Sequence, residues 1–187
     1  MCRGWVRHPL ASAICFQDLT VLITHCVPVV SQTKVYLETT IPSYLTSRPS
    51  RDLLVAAHQQ LTSDWWNDHR HRFSLYVSPR VLAEAGSGDP EAAARRLAPL
   101  EGLSVLAFTP DARLLVARFL GNGLIPERSA EDAVLVAIAT VHGMDYVLTW
   151  NCRHIANAEI FTRLKGAAAV MGYELPLLCT PGQLMGE

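Results

Sequence analysis

The sequence predicts an α/β domain built on a mostly parallel central sheet. From Lys34 onward, short apolar runs alternate with helical segments. Helices open repeatedly on a capping residue followed by proline, as at Ser78-Pro79, Asp89-Pro90 and Thr109-Pro110. Strands separated by helices imply right-handed crossovers and a sheet covered on both faces. Composition agrees: half of the 187 residues are hydrophobic and 18% are charged, which suits one well-cored domain.

The elements follow in order. Val35-Tyr36-Leu37-Glu38 reads as a short apolar strand. Ser50 then caps a long helix in which Leu53, Leu54, Ala57, Leu61 and Trp65 share a face. Leu75-Tyr76-Val77 is the second strand, and Ser78-Pro79 starts a helix through Leu82 and Glu84. Asp89-Pro90-Glu91 opens a helix from Ala92 to Leu97. Leu103 to Phe108 reads as the third strand, and Thr109-Pro110-Asp111 opens a helix stopped near Gly121. Ser129-Ala130-Glu131-Asp132 begins a helix that runs to His142 and ends at Gly143. Tyr146 to Thr149 is the fourth strand, followed by a helix from about Asn157 to Met171. Leu177-Leu178-Cys179 is the last strand, before a Thr180-Pro181 helical turn.

Residues 1–33 differ, with mixed polarity, weak periodicity and three of the five cysteines. They read as an N-terminal extension of uncertain structure, with 34–187 as the domain proper. Thr20 to Ile23 and Val27 to Val30 offer the alternative of a short added strand. The cysteines (Cys2, Cys15, Cys26, Cys152, Cys179) form no CxxC pair, so neither a zinc site nor a disulfide framework is signalled and a reducing cytoplasm fits. No apolar run approaches the ~18 residues of a membrane span, and Gln17 and Asp18 interrupt what would be a signal-peptide core. A net charge of −1 excludes a broad basic surface. Nucleic-acid contact would have to be local, at His69-Arg70-His71-Arg72, Arg95-Arg96 or Arg153-His154, and solvated helix ends explain the same clusters.

Four residues carry the chemistry: Glu38, Glu84, Asp132 and Asn151. Functional groups of open α/β sheets collect outside the carboxyl ends of the strands. Glu38 closes the first strand and Asn151 lies just past the fourth. Glu84 lies within two turns of the helix after the second strand, and Asp132 is in the first turn of a helix leaving that edge. Asp145 precedes its strand and is assigned to the opposite edge. Each has an ordinary structural explanation. Asp132 completes a cap, Glu84 faces solvent, and Asn151 suits a turn. Glu38 is the hardest to explain away, because a buried carboxylate without a cation or donors is costly. Oxygen-only ligands point to Mg²⁺ or Mn²⁺, and so to a metal-dependent phosphodiesterase.

Other signatures are weak. There is no phosphate-binding GxxxxGK[ST] loop and no GxSxG elbow, and the glycines at 86–88 and 121–123 are loop punctuation. His69 and His71 are spaced so that they do not share a helix face. Of Trp65 and Trp66, one belongs in the core; the other is a core residue or an anchor for a partner. Trp150 serves packing or base stacking.

The run Val35 to Leu45, the segment Glu131-Asp132-Ala133 with its apolar helix, and Asp145 to Ile155 together resemble the PIN-domain family. The branch they resemble is the VapC-like toxins of type II toxin–antitoxin systems. The resemblance spans Lys34 to about Glu187. It implies a three-layer α/β/α fold and Mg²⁺- or Mn²⁺-dependent endoribonuclease activity on RNA. It also implies a cognate antitoxin and frequent homodimers. By position, Glu38, Glu84 and Asp132 match the family's first three acidic residues, and Asn151 falls where a fourth is common. Thr39 and Thr149 fall at hydroxyl positions that orient ligands. The first position is usually Asp, so Glu38 is one methylene longer. Asn151 leaves the pocket formally at −3 instead of −4, which leaves open a weak or inactive module that binds RNA or an antitoxin.

Overall fold

A computed structural model describes residues 32–121, 123–125, 130–151 and 158–186. The strands are β1 (Thr33–Leu37), β2 (Phe73–Val77), β3 (Ser104–Val105), β4 (Tyr146–Leu148) and β5 (Leu177–Cys179). They form one five-stranded sheet in the order β3-β2-β1-β4-β5, with every neighbouring pair parallel. Val35, Tyr36 and Leu37 of the central strand are fully buried, as expected of a strand covered on both faces.

Helices α1 (Thr40–Thr46) and α2 (Leu53–Asp64) connect β1 to β2, and α3 (Pro79–Ala85) and α4 (Pro90–Leu97) connect β2 to β3. Helices α5 (Pro110–Gly121) and α6 (Ala130–Val141) lead to β4, and α7 (Ala158–Ala169) leads to β5. The chain winds outward from β1 to β3, then returns to the other side of β1. With right-handed crossovers that reversal puts α1–α4 on one face and α5–α7 on the other. The packing agrees: α1 lies against α2 and α4, and α5 lies against α6 and α7. The winding direction switches between β1 and β4, so a crevice opens at their carboxyl ends.

The β5 boundaries match the sequence reading, and proline opens α3, α4 and α5 as anticipated. Ser78 and Asp89 accept the amide hydrogens of Val81 and Ala92 as caps. Gly143 takes a positive φ of 61° just after α6, a conformation that favours glycine. Four details depart from expectation. Helix α1 has no conventional side-chain cap in its sequence; Glu38, two residues upstream, accepts the Thr40 amide hydrogen instead. Pro42 is tolerated there because it lies in the first turn, where its missing N–H has no helical partner. Asp52, not Ser50, caps α2, accepting from Leu54 and Val55. Its first turn faces outward, with Leu53 87% and Leu54 67% exposed, so the five-residue apolar face is not one buried stripe.

After α2 the chain continues as a π-helical turn, Trp65–His69. The wider turn shifts the helical register, and consecutive Trp65 and Trp66 are both buried. Trp65 stacks on Phe73, and the Arg70 guanidinium covers Trp66, so neither tryptophan is a surface anchor. The anticipated third strand shrinks to Ser104–Val105, an edge strand paired on one side only, although the Leu106 amide still donates to the Val77 carbonyl. Residues 1–31, Arg153-His154 and four of the cysteines lie outside the described residues; Cys179 is buried, and its thiol donates to the Val147 carbonyl. No helix among the described residues is long and apolar enough to cross a membrane.

Candidate active site at the carboxyl edge of the sheet

Glu38 is held at the β1 exit because its amide donates to the Leu148 carbonyl at 3.0 Å, continuing the β1–β4 ladder by one residue. Its side chain is only 6% exposed. Three donors converge on Oε2: the Thr40 amide at 3.1 Å, the Thr40 hydroxyl, and the Thr149 hydroxyl at 2.9 Å. Both hydroxyls also serve as acceptors. Thr40 Oγ1 receives the Trp150 amide and Thr149 Oγ1 receives the Asn151 amide, each at 2.9 Å. The β1 and β4 exits are thus tied together around one carboxylate.

The other two acidic residues attach to this centre from neighbouring helices. Thr39 Oγ1 donates to Glu84 Oε2 at 3.0 Å, which brings the end of α3 against the β1 exit. Asn151 Nδ2 donates to Asp132 Oδ1 at 3.1 Å, which brings in the first turn of α6. The four residues singled out from sequence, with Thr39 and Thr149, therefore lie along one nearly continuous hydrogen-bonded run. Asp145 lies at the opposite edge, where Oδ2 accepts the Lys34 amide at 2.7 Å.

Burial raises the Glu38 pKa above the ordinary value of 4.5. The Thr40 and Thr149 donors pull it back down, and the nearby charge of Glu84 raises it further. Tyr36, on the same side of β1 as Glu38, is raised chiefly by burial, with the charges of Glu38 and Glu84 adding to the effect. Its hydroxyl shares a 2.6 Å hydrogen bond with Ser78 Oγ. Because Ser78 also caps α3, this contact fixes where that helix begins and so where Glu84 lies.

Three participants were not legible in the sequence. Thr40 bridges Glu38 to the β4 exit, Tyr36 forms the floor, and Arg80 forms an ion pair with Glu131 that spans α3 and α6 beside Glu84 and Asp132. A hydroxyl two residues after the strand-ending acid was the available signal for Thr40. Trp150 is a packing residue. Its ring stacks on His58 at 3.9 Å between centroids, meets Tyr44 edge-on, and donates from Nε1 to Thr62 at 2.8 Å.

The donor chemistry suits a hard cation, since every candidate ligand atom is oxygen and Glu38 and Tyr36 both sense negative charge. Among the described residues, no three Asp, Glu, His or Cys side chains converge closely enough to enclose an ion. Magnesium commonly needs only one or two carboxylates, completing its shell with water and phosphate oxygens. The neighbouring Glu38 and Glu84 meet that smaller requirement. A cavity of about 400 Å³ opens at the other end of the sheet around Asp145, Tyr146, Tyr173 and Glu174.

No family model matches the sequence, and no curated protein matches it either. Among solved structures, the chain is similar to VapBC2 from Rickettsia felis, crystallised bound to a DNA fragment from its promoter. Identity is 17% and the TM-score 0.48, over 79% of this chain and 98% of the other. That likeness is too distant to carry an assignment.

Proposed function

We propose that this chain is a PIN-like, Mg²⁺- or Mn²⁺-dependent endoribonuclease that hydrolyses RNA phosphodiester bonds and is held in check by an antitoxin protein. The observation that carries the catalytic part is the hydrogen-bonded run through Glu84, Glu38, Asn151 and Asp132 at the sheet's switch point. The antitoxin rests on the sequence motifs alone.

In this reading Glu38 and Glu84 are the principal metal ligands, with Asp132 as the third carboxylate and the Asn151 carbonyl as an auxiliary oxygen. Bound there, the ion supplies charge neutralisation at the phosphate and lowers the pKa of a coordinated water. The protein's own residues supply position. Thr40 and Thr149 fix the Glu38 rotamer through Oε2, so the longer side chain is folded back onto its own strand exit and Oε1 is the oxygen for a ligand. Thr39 orients Glu84, and Asn151 orients Asp132. An aspartate at 151 would repel Asp132 where the amide donates to it. Asn151 thus favours a preassembled site that binds its ion more weakly.

The competing reading, a binding module without turnover, is favoured by one observation: three protein donors already satisfy Glu38 Oε2. Purified protein free of partner, given RNA and Mn²⁺, separates the two. Cleavage that falls more than about 100-fold in a folded Asp132→Ala variant supports the nuclease. Cleavage unchanged in that variant removes the mechanism.

A further inference from the structure

Resting on the ribonuclease reading, we infer that the cleft between α1 and α4 is a phosphate-binding subsite that holds the RNA backbone beside the carboxylates. The cleft has a volume of about 260 Å³ and is lined by Arg48, Arg95 and Arg96 with three hydroxyl residues and no carboxylate. The Ser43 and Thr46 hydroxyls donate to the carbonyls of Thr39 and Pro42. Recognition of an anion there falls to the guanidinium groups.

The three arginines are prepared to different degrees. Arg96 is pinned: Nε donates to the Ala85 carbonyl at 2.8 Å and Nη2 to the Ser87 carbonyl. That fixes the guanidinium plane and leaves Nη1 facing no protein acceptor among the described residues. Among the described residues Arg95 pairs only with Glu91, one turn earlier on α4 and largely exposed. Such a surface pair contributes little and yields readily to a phosphate. The Arg48 side chain has no acidic partner among the described residues. Guanidinium groups engage phosphate oxygens in pairs, which suits this lining.

Position relates the cleft to the site. Ser43 is bonded to the Thr39 carbonyl, and Thr39 is bonded to Glu84. From the other wall, Arg96 grips the carbonyls of Ala85 and Ser87, one and three residues after Glu84. The cleft therefore begins about one helical turn, roughly 5.4 Å of rise, from the carboxylates. A strand whose phosphate lies at Glu38 and Glu84 has a neighbouring phosphate within reach of the arginines. Charge supplies the need. Three carboxylates repel a polyanion, and a chain of net charge −1 has no general basic surface to offset them.

The test is binding of a fluorescein-labelled single-stranded RNA to the full chain in EDTA, where no cleavage occurs. Arg48→Ala and Arg95→Ala are each expected to weaken binding about three- to tenfold and to lower the slope of log Kd against log salt by about 0.7 per lost phosphate contact. Arg48→Lys retains most of the affinity, and the unfolding temperatures of all variants stay close to that of the parent. Unchanged affinity and slope in both alanine variants would overturn the subsite, as would a parent protein that binds no RNA. Arg48-dependent binding of a polyglutamate peptide, with RNA binding indifferent to Arg48, would also overturn it and give the cleft to an acidic peptide. Arg48-dependent RNA binding in a protein that cuts nothing with Mn²⁺ would remove the nuclease reading and leave the subsite standing. Efficient cleavage with Arg48-independent binding would do the reverse.

Discussion

A carboxylate lies against each end of β1, and the two ends use it differently. At the start of the strand, the exposed Asp145 accepts one backbone amide hydrogen from Lys34. At the other end, Glu38 is 6% exposed, accepts three donors, and carries a pKa raised by burial and by Glu84. The first arrangement closes a sheet edge with one local hydrogen bond. The second gathers residues from α3, α6 and both central strands around a charge that the fold disfavours. That a costly group is held by many converging elements is the ground on which the proposed site rests. A cavity of about 400 Å³ lies at the Asp145 end, away from the carboxylates of the proposed site.

Breaking the Glu38 end should have the larger effect on activity. Thr149→Val removes the donor to Glu38 and the acceptor of the Asn151 amide in a nearly isosteric exchange. RNA cleavage and Mn²⁺ affinity are expected to fall about 10- to 100-fold, as for lost orienting partners of metal ligands. Cleavage kinetics with a metal titration check this. A variant equal to the parent would show that the hydroxyl bridge is incidental.

Protonation sharpens the same contrast. Because the folded protein raises the Glu38 pKa, the native state keeps that proton longer than the unfolded chain does. The stability contributed by this group is full below about pH 4.5, the ordinary value, and is lost as pH rises through the raised pKa. Glu38→Gln keeps an acceptor for the hydroxyl donors and removes the ionisation. Thermal unfolding of the metal-free protein is therefore expected to show a higher Tm for Glu38→Gln at pH 7, an advantage that shrinks toward pH 4.5. Equal Tm values across that range would mean that the carboxylate is not strained.

At the opposite end the effect should be the smallest. Asp145→Ala removes one hydrogen bond to the Lys34 amide and is expected to cost about 1 kcal/mol in denaturant unfolding. RNA cleavage should be unchanged. A loss of activity comparable with that of Thr149→Val would erase the distinction between the two edges.

Much of this arrangement was legible in the sequence, for identifiable reasons. Proline after a capping residue fixed the starts of α3, α4 and α5, and those starts place Glu84 on its helix. The alternation of strands and helices sufficed to put Glu38, Glu84, Asp132 and Asn151 at one edge and Asp145 at the other. Helix α1 was not legible, because its cap is the site glutamate itself and its residues include β-branched Thr40 and Ile41. The double burial of Trp65 and Trp66 accompanies a π-helical turn that no helical wheel contains, and the first turn of α2, with Leu53 and Leu54, faces outward ahead of it. Nor could spacing show that Thr40 and Thr149 both point at one Glu38 oxygen, since the Thr149 contact joins residues 111 positions apart.

The central claim is that these residues form one site for a divalent ion. Isothermal titration of Mn²⁺ into the partner-free protein tests it most directly. The parent should bind Mn²⁺, Glu38→Gln and Glu84→Gln should each lose most of that binding, and Asn151→Asp should bind more tightly. A parent that takes up no Mn²⁺, or one whose binding survives both glutamine substitutions unchanged, would contradict it.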